Sequence, residues 1–300
     1  MDRLETMRIF IAVAEQAGFA RAARQLSLSG PAVTRAVAAL EDRIGTRLLH
    51  RTTRHVRLTE AGARFLADCK RIMAEIGDAE ASAAGYHAGL RGPLAITASV
   101  LFGRMYMAPI LLDFLARYRE VTARLLLVDR IVDLMEEGMD VAVRIAELPD
   151  SSLSAIRVGS VRRVVCASPG YIATHGSPSS PEDLAQFDAI AFSQGGAAQE
   201  WIFGAGSKSA AVRPSAQLRV NNSDVAIAAA LAGRGFTQVL SYQIVPELRA
   251  GRLKLVLGEF EPPPVPIHLV HMEGRRAAAR VRGFLDFAAE RLRADETLAP

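Results

Sequence analysis

Residues 60–84 carry one unbroken helical repeat, and it divides the chain. Phe65, Leu66, Cys69, Ile72, Met73, Ile76, Ala79 and Ala83 recur at three- and four-residue spacing, the apolar stripe of an amphipathic helix. Thr59 stands where a side-chain N-cap belongs, and Gly85, Gly89 and Gly92-Pro93 mark the hinge that follows. Such a helix is about 37 Å long at 1.5 Å per residue, too long for the segments on either side of it to share one core. The chain therefore reads as a small N-terminal module, a linker helix and a large C-terminal body. Little chain precedes the helix to cover its stripe, so its natural partner is the same helix of a second copy, related by a two-fold axis. Burial against the C-terminal body is the alternative. Cys69 lies within the stripe and reads as a small hydrophobe.

The charge divides at the same place. Residues 1–62 hold ten arginines against six acids, which accounts for the whole formal net charge of +4, while the other 238 residues hold 26 bases and 26 acids. A basic head on a neutral body suits a head that meets a polyanion and a body that does something else.

Leu4, Met7, Phe10, Ile11 and Ala14 predict a helix over 3–16, stopped by Gly18. A short second helix over 21–26 ends at Ser27 and Ser29. A third runs over about 30–43, with Pro31 in its first turn. On this third helix Val33, Ala36, Val37, Leu40 and Ile44 form one narrow stripe that must pack inward. The opposite face carries Pro31, Arg35 and Ala38, with Thr34 on its flank, a small surface that can approach another body closely. Two short helices joined by a tight turn, the second with such a face, make a helix-turn-helix whose second helix enters the DNA major groove. Arg35 suits a bidentate guanine contact or a phosphate clamp, and Thr34 either one more weakly. Behind it Arg51, Arg54 and Arg57 recur every third residue, interleaved with Thr52, Thr53 and Val56. This pattern fits a basic β-wing, a solvated loop being the alternative.

The run GFARAARQLSLSGPAVTRAVAALEDRIGTRLLHRTTRHVRLTEAG resembles the N-terminal winged helix-turn-helix of LysR-type transcriptional regulators. The resemblance implies DNA contacts by Ala22, Pro31, Thr34, Arg35, Arg51, Thr52 and Arg54, and dimers through the linker helix that meet an inverted-repeat site. It also allows a tetramer paired through the C-terminal domains. Gly30 stands where this family often has glutamine, so one base-edge contact is missing, and His50 replaces the usual phenylalanine as a packing variant.

From residue 94 the segments LAITAS, RLLLV, DVAVR, RRVVCAS, DAIAFS, GFTQVL and PIHLVH read as buried strands, with helices such as 103–118 and 223–231 between them. This alternation predicts α/β units with mostly parallel sheets, and chain crossovers near 157–168 and 264–271. GPLAIT, VDLMEEGMDVAVRIAELPDSSL and ASPGYIATHGSP resemble the effector domain of the same family, which implies two α/β lobes of the type-2 periplasmic-binding-protein architecture with a cleft between them. The expected fold is thus α/β overall: a winged helix-turn-helix rich in helix over 1–59, a linker helix over 60–88 and an effector domain over 91–300. Lobe I would span about 91–162 and 267–300, and lobe II about 163–266. Ligands of such folds meet the carboxyl ends of strands, which selects Ser99, Val100, Asp129, Arg130 and Arg144 in one lobe and Ser193, Asn222, Ser223, Gln238 and Leu240 in the other. Hydroxyls, amides and Arg144 suit a small polar organic molecule, with anions among the candidates.

Catalytic and cofactor patterns are not found. In GAGSKS (204–209) Ser207 replaces the glycine that a phosphate loop needs before its lysine, and Ser193 lacks the glycines of a nucleophile elbow. Gly233-Arg234-Gly235 alone reads as a helix end. His268 and His271, three apart on a strand, face opposite sides, and neither Cys69 nor Cys166 has a partner spaced for zinc or for a disulfide framework. The N-terminal MDRLETMRIF has no apolar core of a signal peptide. No uncharged apolar run, Val225 to Gly233 being among the longest, approaches the about 18–20 residues of a membrane span. The expectation is a cytoplasmic DNA-binding regulator, not an enzyme, with no cofactor and no membrane partner, which a small effector controls by shifting the angle between lobes. A solute-binding module and a small-molecule enzyme on the same α/β fold are the competing readings.

Overall fold

The computed structural model describes all residues except 1, 52–55, 84–89, 150–152, 193–199, 205–208, 273–276 and 300. It divides into two compact units, Met1–Pro93 and Leu94–Pro300.

The first unit is built from α1 (Arg3–Glu15), α2 (Phe19–Gln25), α3 (Gly30–Ile44), the strands β1 (Leu49–Arg51) and β2 (Val56–Leu58), and α4 (Glu60–Ala83). Ser29 caps α3, its Oγ accepting from Ala32 N at 3.3 Å; Pro31 occupies the first turn, where its missing N–H has no partner to lose. Gly45 ends the helix at φ +76°, the left-handed cap that glycine adopts without a Cβ penalty. Val33, Ala36, Val37 and Leu40 are buried as expected, together with Ile9, Phe10 and Val13 of α1. Ile44 departs from the expectation at 40% exposure, and Glu41 takes the inward place, 2% exposed. The foot of α4 packs into the same core, with Cys69 buried and the rings of Phe10 and Phe65 5.5 Å apart, while Lys70 pairs with Glu15 at 2.7 Å. Part of the linker stripe is therefore covered by α1. Burial, then the nearby Asp68, pushes the Cys69 thiol up to about 11, as a small hydrophobe requires.

The turn after α1 is made differently from its reading in the sequence. Gly18 is extended at φ 178°, and the left-handed residue is Ala17 at φ +45°. A Cβ there carries about 1–2 kcal/mol of strain, against about 0.5–1 kcal/mol of entropy that a glycine would lose. Ala17→Gly is therefore expected to stabilise the unit by about 0.5 kcal/mol. Urea denaturation measures it, and a lower midpoint contradicts it.

The second unit contains two five-stranded sheets. The first combines β3 (Gly92–Ala98), β4 (Val121–Leu127), β5 (Val141–Ile145), β6 (Ser154–Val161) and, from the far end of the chain, a strand over Val265–His271; the second combines β7 (Arg163–Ala167), β8 (Ala189–Phe192) and three later strands. In chain order those later strands follow the hairpin β9 (Trp201–Phe203) and β10 (Ala210–Val212). They are β11 (Ala216–Val220), β12 (Phe236–Leu240) and β13 (Lys254–Val256), so that Val265–His271 is β14. The orders are β4-β3-β5-β14-β6 and β11-β8-β12-β7-β13. Both sheets are mixed, not mostly parallel. β3 pairs parallel with β5, and β8 with β11 and β12, but β14 runs antiparallel to β5 and β6, and β7 antiparallel to β12 and β13. The cause is that the chain passes between the sheets twice, in opposite directions. The first passage is Arg162 alone. The second lies over 257–264, just before the expected segment, because Val265 onward is already strand. Arg162 joins the two passages: its Nη1 donates to Glu261 at 3.0 and 2.8 Å.

The helices of this unit are α5 (Val100–Phe102), continued by a π turn over Gly103–Met107 into α6 (Ala108–Arg117), then α7 (Pro169–His175), α8 (Ser223–Leu231), α9 (Val245–Arg249) and α10 (Ala279–Arg293). Phe114 of α6 meets Phe284 and Phe287 of α10 at 5.2 and 5.3 Å. Among the described residues no helix is long and apolar enough to cross a membrane, and no cluster of His, Cys, Asp and Glu is arranged to hold a metal.

Candidate nucleic-acid interface and effector cleft

On α3, Pro31, Thr34 and Arg35 are exposed. The Thr34 hydroxyl donates to Gly30 O at 3.0 Å, leaving its lone pairs to accept. Arg35 has no partner among the described residues. Its guanidinium is therefore free to be spent on another molecule. Ala22 does not share this surface: it is fully buried among α1, α2 and α3, because the two helices can approach closely only over a small side chain. Arg51 pairs with Val56 in the wing ladder, in which Leu49 also faces Leu58. Thr52 and Arg54 lie outside the described residues.

A knot of hydrogen bonds fixes the wing to α3, and the sequence reading missed it. The Glu41 carboxylate accepts from Leu48 N at 2.9 Å, Leu49 N at 3.0 Å and Arg47 Nη1 at 3.0 Å. Leu48 O in turn accepts from Thr59 N at 3.0 Å. The Thr59 hydroxyl donates to Arg47 O at 2.8 Å and accepts from Gly62 N at 2.9 Å. The end of α3, the first wing strand and the start of α4 thus share one network. The available signal was a glutamate lying on the apolar stripe of α3.

In the second unit the predicted residues sort into groups. Val100 N donates to Asp129 Oδ1 at 3.0 Å, and Ser99 stands close enough to act on the phenol of Tyr242, two residues past the end of β12. Ser99, Val100, Asp129 and the end of β12 at Leu240 are therefore brought together. Burial pushes the Tyr242 phenol up to about 12, with Gln243 and Ser99 acting in the opposite sense, and the ring packs against Phe102 and Tyr106 at 5.3 and 5.8 Å. Asn222 caps α8, its Oδ1 accepting from Val225 N at 3.2 Å. Next to it Asp224 reaches Arg104 of the π turn at 2.9 Å, closing the two lobes on each other. Two assigned residues stand apart. Arg144 donates to Val132 O within its own lobe and is held below the ordinary guanidinium range by burial, which Asp133 opposes. Arg130 is bound by Glu137 at 2.6 and 2.8 Å. Ser193 lies outside the described residues. A separate cavity of about 600 Å³ opens on lobe II between Ser168, Tyr171, His175, Gly233 and Arg252, away from all of these.

Comparison with known proteins decides the family. The bacterial regulatory helix-turn-helix domain of the lysR family matches residues 4–63, and the LysR substrate binding domain matches residues 87–293. The chain belongs to the LysR family. It is a LysR-type transcriptional regulator, so the solute-binding and enzyme readings are not favoured. A helix-turn-helix transcriptional repressor of Pseudomonas aeruginosa is 33% identical, over 97% of this chain and 92% of its own length. A transcriptional regulator of Xanthomonas campestris pv. campestris is 36% identical, over 96% and 85%. The solved structure of CrgA, a LysR-type regulator from Neisseria meningitidis, superposes with a TM-score of 0.62 at 30% identity, covering 96% of this chain and 98% of that one. Within this LysR-type chain the DNA-reading helix and the effector domain are thus carried by separate compact units.

Proposed function

We propose that this regulator works in the cytoplasm as a self-assembled dimer, paired through the linker helix over 60–88. Residues 1–59 of each copy read one half of an inverted repeat in double-stranded DNA, and tetramers form when the effector domains pair as well. Pro31, Thr34, Arg35 and the wing residues Arg51, Thr52 and Arg54 make the contacts, without Ala22. A small organic effector is held over 91–300, between Ser99, Val100 and Asp129 on one lobe and Asn222, Gln238 and Leu240 on the other, with Ser193 at the same strand ends. It shifts the balance between lobe arrangements and so the spacing of the two reading heads. The chain catalyses no reaction and needs no cofactor. The observation that carries this reading is Arg35, an exposed guanidinium with no partner among the described residues, at the outer face of α3.

A gel shift with DNA selected from a randomised pool tests it. Binding should fall steeply with salt, as phosphate contacts require. Arg35→Ala should weaken the selected site by about 1–3 kcal/mol while leaving non-specific binding nearly unchanged. Equal affinity of variant and parent for the selected DNA removes Arg35 from the interface, and the absence of any salt-sensitive, sequence-dependent retardation defeats the reading as a whole.

A further inference from the structure

Two hydrogen-bond donors in lobe II have nothing to donate to among the described residues. Arg163 opens β7 directly after the first passage between the sheets, and it stands opposite Leu240 of β12, while Gln238 stands opposite Val165. Residues facing each other in an antiparallel ladder project to the same side, and diagonal neighbours lie within reach of long side chains. Arg163 and Gln238 therefore share one face, on the diagonal between β7 and β12. β12 runs parallel to β8, with Thr237 opposite Ile190. The first residue of β7 consequently lies at the carboxyl-end edge of these parallel strands, where α/β sheets receive ligands.

This setting makes unpartnered donors expensive. The same face carries Val165 and Phe236, clustered with Trp201 and Phe203 of the β9–β10 hairpin. Gln238 Nε2 is buried with no hydrogen-bond partner among the described residues. The Arg163 guanidinium has no acceptor and no carboxylate among the described residues. Burial holds it below its ordinary range, with no opposing charge. Two other arginines of the lobe are matched, Arg213 by Glu200 at 2.8 Å and Arg252 by Glu247 at 2.5 Å, while Arg219, Arg234 and Arg249 are exposed to solvent. A buried amide N–H without an acceptor and a half-buried guanidinium without one both destabilise a fold, and polar groups left in that state on one face call for a function.

We propose that Arg163 and Gln238 form the anion receptor of the effector site, binding a small organic carboxylate through the guanidinium of the one and Nε2 of the other. The assignment rests on the effector reading above and replaces Arg144, which Val132 O already engages, as the residue that selects the charge of the ligand. Planar two-donor recognition of a carboxylate is the geometry to which a guanidinium is suited.

The test uses full-length protein and two variants, Arg163→Met, which keeps most of the apolar stem, and Gln238→Leu. In ligand-free buffer of low ionic strength Arg163→Met should melt above the parent, because it removes an unmatched, half-buried cation. A lower melting temperature means that the guanidinium serves the fold and overturns the assignment. Benzoate, succinate and pyruvate are then added beside their carboxamides and beside phosphate and sulfate, at matched ionic strength. At least one carboxylate should raise the parent's melting temperature where its amide does not, with an apparent affinity at least about tenfold weaker in either variant. Stabilisation by neutral compounds, or an undiminished response in Arg163→Met, overturns the receptor and leaves the effector reading standing. A response to phosphate or sulfate alone overturns the organic carboxylate. If no compound, charged or neutral, changes either melting or DNA binding, the effector reading falls and the receptor with it.

Discussion

Replacing Glu41 by leucine is expected to destabilise the N-terminal unit by about 2–4 kcal/mol. The carboxylate satisfies two successive backbone N–H groups, of Leu48 and Leu49, in residues that are only 1% and 3% exposed. Leucine cannot accept from them, and each buried N–H left unpaired costs about 1–3 kcal/mol. The apolar side chain gains about 1–2 kcal/mol from burial in the same core, which offsets part of that loss and not all of it. The ion pair with Arg47 contributes little to the balance, since the Arg47 side chain is 71% exposed and solvent screens it. Glu41→Gln keeps an oxygen that accepts and should lose roughly half as much. Urea unfolding followed by far-UV circular dichroism measures both variants, and DNA binding should fail at a lower temperature in Glu41→Leu than in the parent. A midpoint for Glu41→Leu equal to the parent's contradicts the role given to this carboxylate.

The second large effect is expected at Gly62, where two rules of thumb disagree about the sign. Alanine is a better helix former than glycine by about 1 kcal/mol, so a substitution inside α4 would be expected to stabilise. A Cβ on Gly62, however, would lie 1.9 Å from Leu48 O. That oxygen cannot swing aside cheaply, because it accepts from Thr59 N and belongs to the knot around Glu41. Either α4 moves away from the wing strand or the knot breaks, and such overpacking costs about 1–3 kcal/mol, occasionally more. Sterics win, and Gly62→Ala is expected to destabilise by about 2 kcal/mol net of propensity. Gly77 on the same helix is the control. The nearest atom to a Cβ there is Arg91 Nη2 at 3.9 Å, so Gly77→Ala should raise the melting temperature while Gly62→Ala lowers it. If both substitutions stabilise, the close approach at Gly62 is wrong.

How much of this could be read in the sequence depended on whether a residue's role is local. The four helices of the first unit were legible because their periodicity is imposed by one shared core, and Pro31 marks the start of α3 by its own chemistry, whereas Ser29, which reads in the sequence as the end of the second helix, is the cap of α3. Glu41 was not legible, since a charged residue on an apolar stripe has meaning only once its distant N–H partners are known. Ala22 looked available for contact by motif position, yet it is the small residue that lets α2 approach its neighbours. In the second unit seven strands were found from their Val-, Ile- and Leu-rich runs. β9, β10 and β13, at three residues each, are too short to show alternation, and β6 and β11 were missed as well, because SAIRVGSV and AQLRV break the apolar run with polar residues. Strand direction was misread because it depends on where the chain crosses between the sheets, a property that no local pattern encodes. The same limit explains the arginines. Arg144 was chosen for its charge at a strand end and is held by its own lobe, whereas Arg163, inside a run read as plain strand, carries the unmatched guanidinium.

The position of β14 has a consequence for how the chain is made. β5 and β6 are close in sequence, yet β14 is wedged between them in the sheet, and it begins only at Val265. During synthesis from the N-terminus the strands of lobe II, from Arg163 to Val256, are all complete before β14 exists. Lobe I must wait with two open strand edges, the exposure that invites wrong pairing. An unfolded loop of about 100 residues would be slow to bring β14 back. A lobe II already folded, with Arg162 and Glu261 clasped across its two ends, delivers β14 to the gap. The inserted lobe is thus expected to act as an internal chaperone for the lobe that encloses it, the last strand to be translated being the one that completes the first sheet.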